Sequence, residues 1–200
     1  MKYIFLFITS LSCIASYSQL FINEVCSDNE SILLDEDGDY EDWVEVYNAG
    51  NSALNLQGYF LSDDSESLNK WVFPNVMIPA NSFLLVFASD KDFNGDHPHT
   101  NFKISKDGES LFLSSPQLII IDQLIIPALD ADLSFGRQPD GSATWNYFFI
   151  PSPENSNNNS PSFNFANKPN FITEDYFFNQ PTTITIECDQ PNCSIYYTTD

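Results

Sequence analysis

The sequence predicts an all-β protein, an antiparallel β-sandwich followed by a truncated second β-module. Three observations carry this expectation. Short runs that alternate apolar and polar residues recur down the chain, with Asn, Gly, Pro and Asp clustered between them. No window holds a helical period for three turns, and helix-favouring Ala, Lys and Arg are scarce. Apolar residues make up 42% of the chain and include 18 Phe, 9 Tyr and 3 Trp, which is bulk enough to fill a sandwich core and excludes uniform disorder.

In order, the alternation predicts strands over Leu20–Cys26, Trp43–Ala49, Leu54–Leu61, Lys70–Phe73 and Phe83–Ala88. Further strands follow over Phe102–Ser105, Ser110–Leu113, Leu118–Ile126, Leu133–Gly136 and Thr144–Phe149. Turn chemistry separates them at Asn48-Ala49-Gly50-Asn51, Ile78-Pro79-Ala80-Asn81, Asn94-Gly95-Asp96, Asp107-Gly108 and Pro139-Asp140-Gly141. Many short strands at this spacing imply a sandwich rather than a parallel α/β fold. From Pro151 the composition turns to Pro, Ser and Asn with almost no aliphatics. The expected organisation is therefore a sandwich over 19–155, a linker over 156–170 and an incomplete β-module over 171–200. A hairpin without a third strand is marginal in water, so this second module is expected to continue beyond Asp200.

The N-terminus reads as a secretory signal over residues 1–18. Lys2 supplies the positive region, Tyr3 to Ile14 the apolar region, and Ser16-Tyr17-Ser18 the small residues before a cut at Gln19. It is too short and too interrupted by Ser and Thr to span a membrane, so no span is expected after cleavage. Cleavage removes Lys2 and no acid, taking the formal charge from −21 to −22. Such a chain repels phosphate backbones, which excludes nucleic acid as a partner. Three cysteines then remain for an oxidising compartment: Cys26, Cys188 and Cys193. Cys188 and Cys193 bracket a four-residue loop between the alternating runs TTITIE and SIYYTT. Opposing them also opposes Ile186 with Ile195, so register and a disulfide agree. Cys26 is left over as a buried thiol of the first strand.

The stretch from Leu20 to about Asn155 resembles a bacterial lamin tail domain, through INEV at Ile22–Val25, DEDGDYEDWVEVYN at Asp35–Asn48 and LQGYFLSDD at Leu56–Asp64. KWVFP at Lys70–Pro74, IPANSFLLVFAS at Ile78–Ser89, HTNFKIS at His99–Ser105 and SFGRQPDGSATW at Ser134–Trp145 continue the likeness, and IPSPENSN closes it. The resemblance implies an immunoglobulin-like sandwich with no catalytic machinery of its own. Cys26 departs from it, where a small or apolar residue is expected, as does Glu154, where Gly is common. Pro169 to Asp200 resembles the start of a chitobiase/β-hexosaminidase C-terminal-type module, with ITIECDQPNCSIYYTTD as its hairpin. In secreted Bacteroidetes-like proteins this pair often precedes a spore-coat-H-like kinase domain.

Three groupings invite chemistry. Asp35, Asp37 and Asp39 alternate around Gly38, so their carboxylates can converge on a hard cation; they are the calcium candidates, and no other cofactor is expected. Asp90, Asp92, Asn94, Gly95 and Asp96 mimic the first half of an EF-hand loop, but Asn101 stands where the bidentate acid belongs. His97 and His99, the only histidines, sit beside Asp96 and could hold a transition metal, though no cysteine lies near in sequence to complete a zinc set. A hydrolase would need one of them as its base, and there is no GxSxG elbow, phosphate loop, HExxH or CxxC pair. Trp43, Trp71, Trp145, Tyr147, Tyr196 and Tyr197 form the pool for sugar stacking. The expected function is a non-catalytic extracellular interaction or spacer module of a secreted or cell-surface bacterial protein, with an extracellular protein or glycan as its partner. The alternative is a carbohydrate- or surface-targeting part of a larger secreted enzyme, a spore-coat-H-like kinase or a polysaccharide hydrolase.

Overall fold

The computed structural model describes residues 19–164, 170–172, 179–180 and 183–188. The predicted signal segment 1–18 lies outside them. The chain parts into two compact units, residues 1–162 and 163–200. The first is an all-β sandwich of antiparallel sheets, as the alternation predicts. Its larger sheet contains β1 (Leu20–Cys26), β2 (Asp42–Asn48), β7 (Ser82–Ala88), β10 (Ser134–Arg137) and β11 (Trp145–Phe148), with β12 (Ser162–Phe163) at the edge. The spatial order is β12-β11-β10-β1-β2-β7. The smaller sheet runs β5-β4-β8-β9, from β5 (Trp71–Val72), β4 (Phe60–Ser62), β8 (Glu109–Ser114) and β9 (Ile120–Ile126). A two-stranded ribbon, β3 (Leu54–Asn55) with β6 (Met77–Ile78), adjoins them.

Period-two alternation decides which side chains meet between the sheets. Leu20, Ile22, Val25, Val44, Val46 and Val86 come from the larger sheet, and Leu61, Trp71, Leu111, Leu113, Leu124 and Ile126 from the smaller. Each is almost fully buried, worth about 2 kcal/mol apiece relative to exposure. The outer face of the smaller sheet is different. Register sets Val72, Phe60, Ser114 and Ile120 in one cross-strand row, Ser62, Phe112 and Gln123 in the next, and Ser110 with Ile125 beyond.

Two predicted strands come out otherwise. The run Leu54–Leu61 splits into β3 and β4, because Gly58 (φ 83°) turns the chain where a side chain would be strained. Phe102–Ser105 forms no strand; only Lys103 bridges, to Ser89, while Phe102 and Ile104 drop into the core. Burial of those two rings and branches serves the segment where a ladder does not.

The first strand carries the feature that orders the rest. Its register against β2 slips between Ile22 and Glu24, so Asn23 is an extra residue, a β-bulge. Side chains then satisfy the backbone of Ile22: its N–H donates to Asp122 Oδ2 (2.9 Å) and its carbonyl accepts from Arg137 Nε (2.8 Å). Arg137 Nη2 meets both Asp122 oxygens at 2.9 Å, and its guanidinium stacks 4.4 Å from the centre of Trp145. Asp122 lies on β9 and Arg137 on β10, so one charge-assisted pair ties the smaller sheet to the larger.

Residues after Asn155 do not leave the sandwich where the linker composition places the boundary. Ser156 caps a 3-10 turn over Asn157–Asn159, and Asn157 is completely buried, donating through Nδ2 to the Arg137 carbonyl (3.1 Å). Asparagine side chains here replace the aliphatics whose absence marks a linker in sequence.

The second unit pairs β13 (Asn170–Ile172) with β14 (Thr185–Glu187). Cys188 is disulfide-bonded, whereas Cys193 and the run Ser194–Thr199 lie outside the described residues.

Replacing Arg137 by Lys keeps the charge but loses the fork that reaches Ile22, Asp122 and Ser142 together. Arg137→Lys is expected to lower stability by about 3 kcal/mol, read as a reduced urea midpoint with unchanged slope.

Candidate functional site

Side chains of β1 and β2 that point away from the core are also buried, because three loops cover that outer face. Segments 27–41 and 89–101 carry the acidic and histidine candidates that the sequence singles out, and segment 149–160 packs beside them.

The acidic hairpin is built on Asp35. Its Oδ1 accepts the N–H groups of Asp37 and Asp39, both at 2.9 Å, its own N–H reaches the Asp39 carbonyl (2.9 Å), and Gly38 (φ 86°) closes the turn. This brings the calcium candidates Asp35, Asp37 and Asp39 together, but about a cation of the chain itself. Lys91 Nζ lies 2.5 Å from Asp35, 3.2 Å from Asp37 and 2.8 Å from Asp39. Burial alone would lower the Lys91 pKa; the hydrogen bonds to Asp35, Asp39 and Asp37 outweigh it and raise it. Burial pushes the Asp35 carboxyl up, and the Lys91 bond and two backbone donors bring it below its ordinary value. Among the described residues, Asp35, Asp39 and Glu41 place ligand oxygens within 4.8 Å of one another. Glu41 is missing from the sequence-derived set, since it lies beyond the alternating triplet; its other oxygen holds Lys103 at 2.8 Å.

The second acidic loop folds as a tight hairpin in which Asn94 bridges Pro98 and the His99 N–H donates to the Phe93 carbonyl. Asp90, Asp92 and Asp96 stay exposed. The two histidines part company. His97 Nε2 stands 3.3 Å from Glu154 Oε1, whereas His99 is fully buried between Ser89 Oγ at Nδ1 (2.8 Å) and Glu36 Oε2 at Nε2 (3.2 Å). The His99 ring also stacks on Phe87, with centroids 5.1 Å apart.

Ser89, His99 and Glu36 are the residue types of a hydrolytic triad, 10 and 63 positions apart in sequence, a separation no local motif reveals. Their geometry is unsuited to hydrolysis. The hydroxyl sits on Nδ1 and the acid on Nε2, the reverse of the serine-hydrolase arrangement. Ser89 is only 3% exposed, so no substrate carbonyl reaches its oxygen. The set serves as a tie between the two loops.

A third cluster escapes sequence reading. Glu24 and Glu45 oppose each other in register, and both are completely buried. Ser134 Oγ and the Ser152 hydroxyl and N–H donate to Glu24; Asn23 Nδ2 (3.2 Å) and the Glu154 N–H (2.6 Å) donate to Glu45. Burial, then the neighbouring Glu24, pushes the Glu45 carboxyl up to about 9, and burial raises Glu24 as well. Burial and the facing Glu24 thus favour the neutral form of Glu45. The available signal was an acid flanked by apolar residues in each of two strands, Glu24 before Val25 and Glu45 between Val44 and Val46.

The sugar-stacking pool is largely spent on packing. Trp43 and Trp71 are buried, and Trp145 and Tyr147 pack on Phe135 with centroids 5.2 and 4.9 Å away. Tyr196 and Tyr197 lie outside the described residues. Cys26 is free and buried, and desolvation pushes its thiol up to about 12, which makes it unreactive.

Two expected outcomes follow from these groups. Lys91→Met leaves the buried Asp35 charge without its partner, so it should cost about 2 kcal/mol and make the melting temperature respond to added calcium, which the lysine otherwise blocks. The raised Glu45 pKa fixes a sign: between the ordinary carboxylate value of 4.5 and about 9, the folded state holds a proton that the unfolded chain releases. Stability should thus fall as pH rises through that window, by up to about 1.4 kcal/mol per pH unit for this group. Urea midpoints at pH 5.5, 7 and 8.5 read the slope, and Glu45→Gln should flatten it.

The family model described as Lamin Tail Domain matches residues 14–126. Among curated proteins, none matches the chain. The matched span takes in β1 to β9, and with them the bulge, the acidic hairpin and the loop that carries His99. Covering more than half of the sequence, it establishes that this chain belongs to the lamin tail domain family.

Proposed function

We propose that this chain acts without catalysis, as an interaction and spacer module of a secreted or cell-surface bacterial protein. The observation that carries this reading is how the reactive side chains are used. Ser89, His99 and Glu36 are locked into one another beneath the loops, and Lys91 is held by three carboxylates. Every described cation beyond Lys91 also has an acidic partner: Lys70 with Asp63, Lys103 with Glu41, Lys106 with Asp28 and Arg137 with Asp122. Groups of the type enzymes hold ready for substrate here hold the fold.

Three further features support the extracellular setting. A signal-like segment precedes Gln19, Cys188 is disulfide-bonded, and the strongly acidic surface suits solubility outside the cell and disfavours nucleic acid. No helix of the described residues is long and apolar enough to cross a membrane. The second unit, read as the beginning of a chitobiase C-terminal-type module, fits a tandem of displayed β-domains. A glycan-targeting role beside a downstream enzyme has less support, since Trp43 and Trp71 are buried and Trp145 lies beneath Arg137.

The test is direct. The purified chain, incubated with panels of ester, glycoside and phosphoryl substrates, should show no turnover above the blank. Turnover by the wild type that disappears in Ser89→Ala would overturn the reading and turn the buried tie into an active site.

A further inference from the structure

We propose that the outer face of the smaller sheet is a self-association surface on which a second copy of this chain docks face to face. Beyond the general module reading, this commits to one place and one occupant. The face is built from Phe60, Val72, Phe112, Ile120, Gln123 and Ile125, with serines between them, and carries no charged side chain. In a chain with 28 acids and 7 bases that neutrality is itself a signal. Ile125 is 76% exposed, Val72 52% and Ile120 44%, so three β-branched side chains stand in water on one continuous surface.

The charge distribution along the strands selects the occupant. Register places Ser114, Ile120 and Phe60 at one end of this sheet and Glu109 with Ile126 at the other. The loops at the first end, 73–81 and 115–119, contain no charged residue. Those at the second, 63–70 and 105–109, hold five acids, Asp63, Asp64, Glu66, Asp107 and Glu109, against two bases, Lys70 and Lys106. A two-fold axis lying in the face and perpendicular to the strands sets each acidic end beside the uncharged end of its partner. Two molecules of net charge −21 can then meet with their acidic ends apart. A basic partner has no acid to pair with on this face, and a sugar finds neither Trp nor Tyr there to stack on. A copy of the same uncharged, apolar surface matches it in charge.

The experiment is sedimentation of the full 200-residue chain from micromolar to millimolar concentration, with Val72→Lys and Ile125→Lys alongside. The wild type should pass from monomer to dimer as concentration rises. Each lysine should weaken association about 100-fold or more, since the symmetric interface buries the new charge twice. Melting temperatures should not move, because both side chains are exposed in the single chain. Ile125→Ser, which adds no charge, keeps the comparison valid if a lysine disturbs the strand. A wild type that stays monomeric at millimolar concentration overturns the proposal, as does a dimer indifferent to these substitutions. A monomer that binds an insoluble neutral polysaccharide through Ile125 would also overturn it, and would assign the face to a glycan.

Discussion

The Arg137–Asp122 pair, which meets the Ile22 backbone beside the β-bulge at Asn23, is the constraint on which the sandwich depends. β10 pairs with β1 only at Glu24 and Val25, so on that side the Ile22 N–H and carbonyl meet side chains instead of a ladder partner. Burying them unpaired would cost a few kcal/mol, so they require donors and acceptors from elsewhere. Asp122 and Arg137 supply them from β9 and β10, and Arg137 Nη2 holds both Asp122 oxygens. The same slip of register turns Asn23 and Glu24 together to the outer face while Ile22 and Val25 stay in the core. Sheet-to-sheet attachment and the polar outer cluster thus meet on one short stretch of β1.

That outer cluster explains how a chain this acidic holds long loops in place. Few lysines are available, so carboxylates do the tying, and they do so in two ways. Ionised Asp35 collects Lys91 and two backbone N–H groups, and Glu36 collects His99. Glu45, whose neutral form burial favours, instead joins Glu24 in gripping Ser152 and Glu154 of the segment that leaves β11. Acids at the rim remain charged because lysine and water reach them; acids beneath the strap are too desolvated for two charges to coexist. The lamin tail domain match stops at residue 126, before β10 and β11, yet Arg137 and Ser134 from β10 reach back to Ile22 and Glu24. The folded unit is larger than the matched span.

How much was legible follows from how local each feature is. Alternation in LFINEVC and WVEVYN placed β1 and β2 to within a residue, because a strand's pattern is written in its own side chains. The convergence of Asp35, Asp37 and Asp39 was legible too, since a tight turn at Gly38 suffices to bring them together. The identity of their cation was not, because Lys91 arrives from a loop 52 to 56 positions away. Phe102–Ser105 misled because two buried apolar residues at alternate positions look like a strand whether or not a neighbour completes the ladder. The Asn-rich exit misled in the opposite sense: its polarity reads as solvent-facing, and only a polar surface beneath it makes burial of Asn157 favourable.

By itself, the sequence determined the all-β class, the placement of most strands and the acid-rich, base-poor character of the surface. Periodicity, turn residues and composition are properties of short segments or of the whole chain, and need no partner to be read. Tertiary structure alone decided which acids stay ionised, which lysine stands at the centre of the acidic hairpin, and that Ser89, His99 and Glu36 form a closed tie. It also decided that Val72, Ile120 and Ile125 stand exposed on one sheet face. Each of these depends on side chains from distant segments meeting at a few ångströms under low dielectric, where hydrogen-bond partners and desolvation, rather than residue type, set the chemistry.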